Sequence, residues 1–101
     1  MLWEYPLRIK WDSKKSNWLK NHSKRKTSFE EAKVILEDPL NEIGGELKSL
    51  DPEQHYSVGL ASNGIMITLI YEYRYDGEGI YIWLVTLWKT TKEEIKRLSN
   101  V

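Results

Sequence analysis

Between His55 and Trp88 three apolar-rich stretches are separated by two turn signals, which constrains the fold more than any other feature of the chain. His55–Ala61 reads as a first strand, Ile65–Tyr75 as a second and Ile80–Trp88 as a third. The first break, Ser62-Asn63-Gly64, contains Asn-Gly, a strong hairpin signal because both residues tolerate positive φ. The second, Asp76-Gly77-Glu78-Gly79, is a further turn. Short connections of this kind permit only an antiparallel meander. Ile80–Trp88 is apolar on both faces, which predicts a central strand, covered on both sides or lining a concave site. If Tyr75 pairs with Ile80, Arg74 lies opposite Tyr81, whereas a slip of one residue sends it to the other face.

The first half carries the helices. Leu2 to Trp11 alternates, with Trp3, Tyr5, Leu7, Ile9 and Trp11 on one apolar face, and Pro6 marks the strand as an edge or a bulge. Asp12 is placed to cap a helix over residues 13–22, whose apolar content is only Trp18 and Leu19. Ser23 to Thr27 forms a basic linker. Ser28 and Glu31 have capping-box spacing, and Phe29, Ala32, Ile35 and Leu36 share one face of a helix running to Glu37. Asp38-Pro39 ends it. Residues 40–54 are acidic and turn-rich, with a short strand near Asn41–Ile43 and Gly44-Gly45 read as a turn. Thr90 and Thr91 each precede a glutamate by three residues, so a last helix starts there and runs to about Ser99. The expectation is one α+β domain over residues 1–101, a small antiparallel sheet with two N-terminal helices and one C-terminal helix packed on it.

Composition removes several function classes. With no cysteine among its 101 residues, the chain has no disulfide, thiolate metal site or cysteine nucleophile. His22 and His55 are its two histidines, and no metal-ligand spacing surrounds either, so neither metal nor cofactor is expected. No apolar run approaches the length of a membrane span, and the first residues lack a signal-peptide pattern, so the expected location is the cytoplasm. The formal charge is zero but uneven: residues 1–26 carry +6, residues 27–79 carry −8 and residues 80–101 carry +2. A basic N-terminal third points to an anionic partner, although a solvated helix face would have the same composition. The acidic pairs Glu30/Glu31 and Glu93/Glu94 are explained by the helix dipole.

No phosphate-binding glycine loop and no hydrolase signature is present. One ordered set of motifs does appear. Trp11-Asp12-Ser13-Lys14-Lys15 is followed by Trp18-Leu19-Lys20-Asn21-His22, then by Ser28-Phe29-Glu30-Glu31-Ala32, then by Asp38-Pro39-Leu40. Further on come Tyr56 to Ser62, Tyr71-Glu72-Tyr73-Arg74 and Thr86 to Glu94. In order and spacing this set resembles the BrnT-type toxins, small ribonucleases of bacterial toxin–antitoxin pairs. The resemblance implies a RelE-like fold, RNA as substrate, and a cognate antitoxin that binds and oligomerises with the toxin. It departs from the family at several basic positions: Trp88 stands where the family has an arginine, Gln54 and Ile65 lie near two more, and Ser23 follows His22 in place of glycine.

Metal-independent RNA cleavage needs a base for the 2′-hydroxyl, an acid for the leaving oxygen and a cation at the phosphate. The catalytic candidates are therefore His22, Lys15 and Arg74. Histidine exchanges protons near neutral pH, but a histidine ending a helix also simply complements its dipole. Arg74 has Glu72 and Asp76 within reach as ordinary ion-pair partners. Lys14, Lys20, Lys24 and Lys89 are candidate RNA contacts, and Trp88 is a candidate for stacking on a base or for burial. Trp11 fits the family motif and also fits core packing. A different class remains open, a non-catalytic RNA- or protein-binding module that kept the fold and the antitoxin surface.

Overall fold

The computed structural model describes residues 8–37, 43–47 and 54–99. The described elements are β1 (Arg8–Lys10), α1 (Ser13–Asn21), α2 (Phe29–Ala32), α3 (Val34–Glu37), β2 (Ile43–Leu47), β3 (Gln54–Leu60), β4 (Met66–Asp76), β5 (Gly79–Lys89) and α4 (Lys92–Ser99). The strands form one sheet in the order β1-β5-β4-β3-β2. The architecture is α+β.

The meander forms, and of the registers the sequence leaves open it takes the one with Tyr75 opposite Ile80 and Arg74 opposite Tyr81. At the first hairpin only Gly64, at φ +84°, has positive φ. Its N–H donates to the Ala61 carbonyl at 2.9 Å, and Ala61 N–H donates to Ile65 O at 3.0 Å. That is a type I turn followed by a left-handed glycine, so Asn63 does not take the positive φ allowed for it above. Asn63 instead accepts from Ile65 N–H and donates to Lys26 O and Thr27 Oγ1. Val85 is the extra residue of a bulge, because Leu84 pairs with Tyr71 while Thr86 pairs with Ile70.

Two expectations are corrected. The sheet is mixed, since β1 runs parallel to β5 with Arg8, Ile9 and Lys10 beside Tyr81, Ile82 and Trp83. No hairpin joins these strands, which lie some seventy residues apart, so no local turn dictates their direction. Gly44-Gly45 is the middle of β2, paired with Ser57 and Tyr56, and not a turn. The edge position expected for the first strand is observed at Arg8–Lys10, whereas Pro6 lies outside the described residues, as do Asp38-Pro39, Asn41-Glu42 and Asp51-Pro52.

One face of the sheet carries the main core. Leu19 of α1, Phe29 and Ala32 of α2 and Ile35 of α3 bury against Ile67, Leu69, Ile82, Leu84 and Leu87. Each of these side chains except the small Ala32 contributes about 2 kcal/mol on leaving water. Ser28 and Glu31 form the capping box, and Lys33 interrupts the helix so that α2 and α3 are separate short segments. Ser16 ties α1 to α2, accepting from Phe29 N–H at 2.9 Å and donating to Glu30 at 2.6 Å. The outer face of the sheet buries Val58, Thr68 and Ile70. There α4 begins at a second capping box between Thr91 and Glu94, and Glu94 reaches back to Thr68 and Trp88. Among the described residues no helix is long and apolar enough to cross a membrane.

Candidate functional site

Asp12 starts α1 by accepting the N–H groups of Lys14 and Lys15 at 2.8 and 3.4 Å. Burying Ser16 and Leu19 fixes the rotation of the helix. Lys15, Trp18 and His22 then share one row at i, i+3 and i+7, turned away from the core. Lys15 Nζ lies 4.8 Å from the centre of the Trp18 ring, and the His22 ring centre lies 4.7 Å away with its plane tilted by 41°. Arg25 joins from the following turn, its Cζ 5.7 Å from the same ring. Trp18 stays 49% exposed in spite of these neighbours.

Arg25 is held in place. The described pairing of β1 with β5 ends at Trp83, and past that point Arg25 Nη1 donates to Leu87 O at 2.7 Å and to Thr86 Oγ1 at 3.2 Å. The chain between α1 and α2, read above as a linker, is a tight turn. His22 O accepts from both Arg25 and Lys26, and Lys26 takes φ +51°. No described carboxylate forms an ion pair with Lys15 or Arg25.

His22 caps the C-terminus of α1, and its Nδ1 accepts the Lys24 N–H at 3.2 Å. In that arrangement the neutral ring carries its hydrogen on Nε2. Lys14 and Lys24 have exposed side chains. Lys20 donates to Glu31 at 2.8 and 3.0 Å. Partial burial would raise the pKa of Glu31, but Lys20 and Ser28 outweigh it and hold the carboxyl below the usual range. Lys89 is exposed at the end of β5, opposite Ile67. Trp88 is half-buried and its indole N–H donates to Glu94 at 3.3 Å.

Arg74 is not brought to Lys15 and His22. Its register with Tyr81 puts it on the outer face of the sheet, whereas α1 packs on the other face through Leu19. There Arg74 Nε donates to Glu72 at 2.7 Å and its guanidinium lies 4.5 Å from the Trp83 ring. Trp11 is half-buried against the core. Among the described residues no three His, Asp or Glu side chains gather as metal ligands.

Two members of the α1 group escaped the sequence reading. Trp18 counts in the sequence as thin apolar content and as the start of the motif ending at His22, with no contact role, although its i+3 and i−4 spacing to Lys15 and His22 is a readable signal. Arg25 gave no signal, because a tertiary contact with β5 brings it there. No protein-family model and no curated protein sequence matches this chain. What the α1 row and the turn after it offer chemically is two cations, an exposed indole and an imidazole N–H, a combination suited to a phosphate beside an unpaired base.

Proposed function

We propose that this chain is the toxin half of a bacterial toxin–antitoxin pair, BrnT-like with a RelE-like fold, acting in the cytoplasm as a metal-independent endoribonuclease. The observation that carries the proposal is the α1 face, where Lys15, His22 and Arg25 surround a half-exposed Trp18 and neither Lys15 nor Arg25 is ion-paired to a described carboxylate. The order of helices, the meander and the motif series support the same assignment.

In cleavage of this type the 2′-hydroxyl passes its proton to solvent water and its oxygen attacks the adjacent phosphorus. The bond from phosphorus to the 5′-oxygen breaks as that oxygen takes a proton from water, giving a 2′,3′-cyclic phosphate and a 5′-hydroxyl. Lys15 neutralises charge on the phosphate, and His22 Nε2–H donates to a phosphate oxygen. For His22 to accept the proton itself, the exposed Lys24–His22 bond must open so that the other tautomer forms. A small antitoxin, acidic or partly disordered, masks the site. Since Lys15 and Arg74 lie on opposite faces, a partner that covers both must wrap the sheet edge.

The test uses chain purified without a partner, incubated with RNA in EDTA. Fragments ending in cyclic phosphate are expected, lost in His22→Ala and reduced in Lys15→Ala. Cleavage that EDTA abolishes, or that survives both substitutions, refutes the mechanism. A second reading, the non-catalytic RNA- or protein-binding module, is favoured by one observation: Arg74 is occupied by Glu72 on the far face and does not complete the Lys15–His22 set. RNA binding without cleavage is its signature.

A further inference from the structure

Three described aromatic side chains are exposed: Tyr73 and Tyr75 in the sheet, and Trp18. Trp18 stands on a helix surface, its neighbours are Lys15, His22 and Arg25, and close to half of it meets water. Residues 13–22 contain no acid, and Lys14, Lys24 and Lys26 add further exposed positive charge nearby. An acidic ligand is thus attracted, and an aromatic ligand surface finds a match.

We propose that Trp18 is the stacking platform for one unpaired base of single-stranded RNA, with Arg25 and Lys15 holding the phosphates on either side; this rests on the RNA reading given above. Every base has a π-face, so an indole accepts any of them. Arg25 is pre-positioned, because one of its nitrogens is spent on Leu87 O and Thr86 Oγ1 while its other donors bond to none of the described residues and can meet a phosphate oxygen. Lys15 Nζ, by comparison, makes no hydrogen bond or ion pair with a described residue and rests only on the Trp18 ring. Its long stem lets Nζ leave the ring face when a base arrives and move to the neighbouring phosphate. A duplex offers no free base face, so Trp18 selects single strands, while the cations alone act on both forms.

The probe is a fluorescein-labelled ten-nucleotide oligouridylate, followed by anisotropy, with a hairpin-free RNA duplex of equal charge alongside. Trp18→Leu keeps apolar volume and removes the large π-face, and Trp18→Tyr restores a ring. Trp18→Leu is expected to weaken single-strand binding about tenfold, within the ~1–3 kcal/mol that a stacked base contributes. Trp18→Tyr should recover most of the loss, and duplex binding should not change. Thermal melts of each variant report that the fold is kept. Equal single-strand affinity for wild type and Trp18→Leu overturns the platform but leaves the RNA reading standing. Failure of wild type to bind either RNA, or capture of a polyglutamate peptide in preference to RNA, overturns both.

Discussion

Among the described residues cations lie over aromatic rings in two regions, and the carboxylates around them differ. On the outer face Arg8 and Lys10 sit 5.3 and 4.7 Å from the Tyr81 ring, and Arg74 sits 4.5 Å from Trp83. Each of those cations is also tied to an acid: Arg8 to Asp76 and Glu78, Lys10 to Asp76, Arg74 to Glu72. On α1, Lys15 and Arg25 lie against Trp18 with no ion-paired carboxylate among the described residues. The same residue types therefore do two jobs. Where charge is balanced inside the chain, the group clamps β1, β4 and β5 together. Where it is not, the positive charge stands uncompensated by any described carboxylate, as the proposed anion site requires.

The largest expected contrast is in stability. Trp83 is half-buried between strands, and Trp83→Ala should cost about 2 kcal/mol, less than the loss of a fully buried aromatic. Trp18→Ala should stay within about 0.5 kcal/mol, as for most surface substitutions. Urea unfolding of the two variants decides it, and equal losses break the distinction. Arg74→Ala comes next. It leaves Glu72, only 7% exposed, with a long 3.4 Å contact from Gln54, so about 1–3 kcal/mol is expected. Adding Glu72→Gln should return part of that loss, since the stranded charge is then gone.

Acid should separate the two regions as well. Arg8 above all, then the Glu78 N–H and Lys10, hold the Asp76 carboxyl far below its usual pKa. A folded-state pKa below the unfolded value means the stabilisation is present at neutral pH and is lost as pH falls through about 4 and lower. Arg8 is shifted upward, out of any working range, and adds no slope of its own there. Wild type should therefore lose stability on acidification more steeply than Asp76→Asn, whereas Lys15→Ala should follow wild type. Unfolding midpoints between pH 7 and pH 3 measure this. An Asp76→Asn variant that is as acid-sensitive as wild type removes Asp76 from the clamp.

The sequence was most informative where structure is local. Capping at Asp12, Ser28 and Thr91, the two hairpin turns at Gly64 and Gly79, and the face of Phe29, Ala32 and Ile35 follow from residues near one another in sequence, and all are present. The parallel partner of β1 was not legible, because no turn connects Lys10 to Trp83. Gly44-Gly45 looked like a turn because glycine has no strand preference, yet pairing with Tyr56 and Ser57 settles its conformation. In the site, Lys15 and His22 were legible from motif order. Arg25 was not, since Thr86 Oγ1 and the Leu87 carbonyl of β5, some sixty residues away, fix it. Charge compensation was likewise hidden: Lys14, Lys15, Lys20 and Lys24 look alike in a sequence, and tertiary contacts alone single out Lys20.

Lys20 gives the smallest and sharpest test, because it brings the comparison inside one helix. It lies on α1 five residues from Lys15, but its Nζ holds both oxygens of Glu31, which Ser28 also grips. The pair is partly exposed, at 48% for Lys20 and 23% for Glu31, so Lys20→Ala should cost no more than about 0.5 kcal/mol. A lysine already neutralised adds little to the release of counterions from RNA. A lysine free to meet a phosphate lowers the slope of log K against log salt by about 0.7 when it is removed. Lys15→Ala should show that reduction on single-stranded RNA, and Lys20→Ala should leave the slope near its wild-type value while shifting affinity only slightly. If the two substitutions reduce the slope alike, the lysines of α1 act as one undivided field of charge, and pairing with Glu31 does not decide which of them touches RNA.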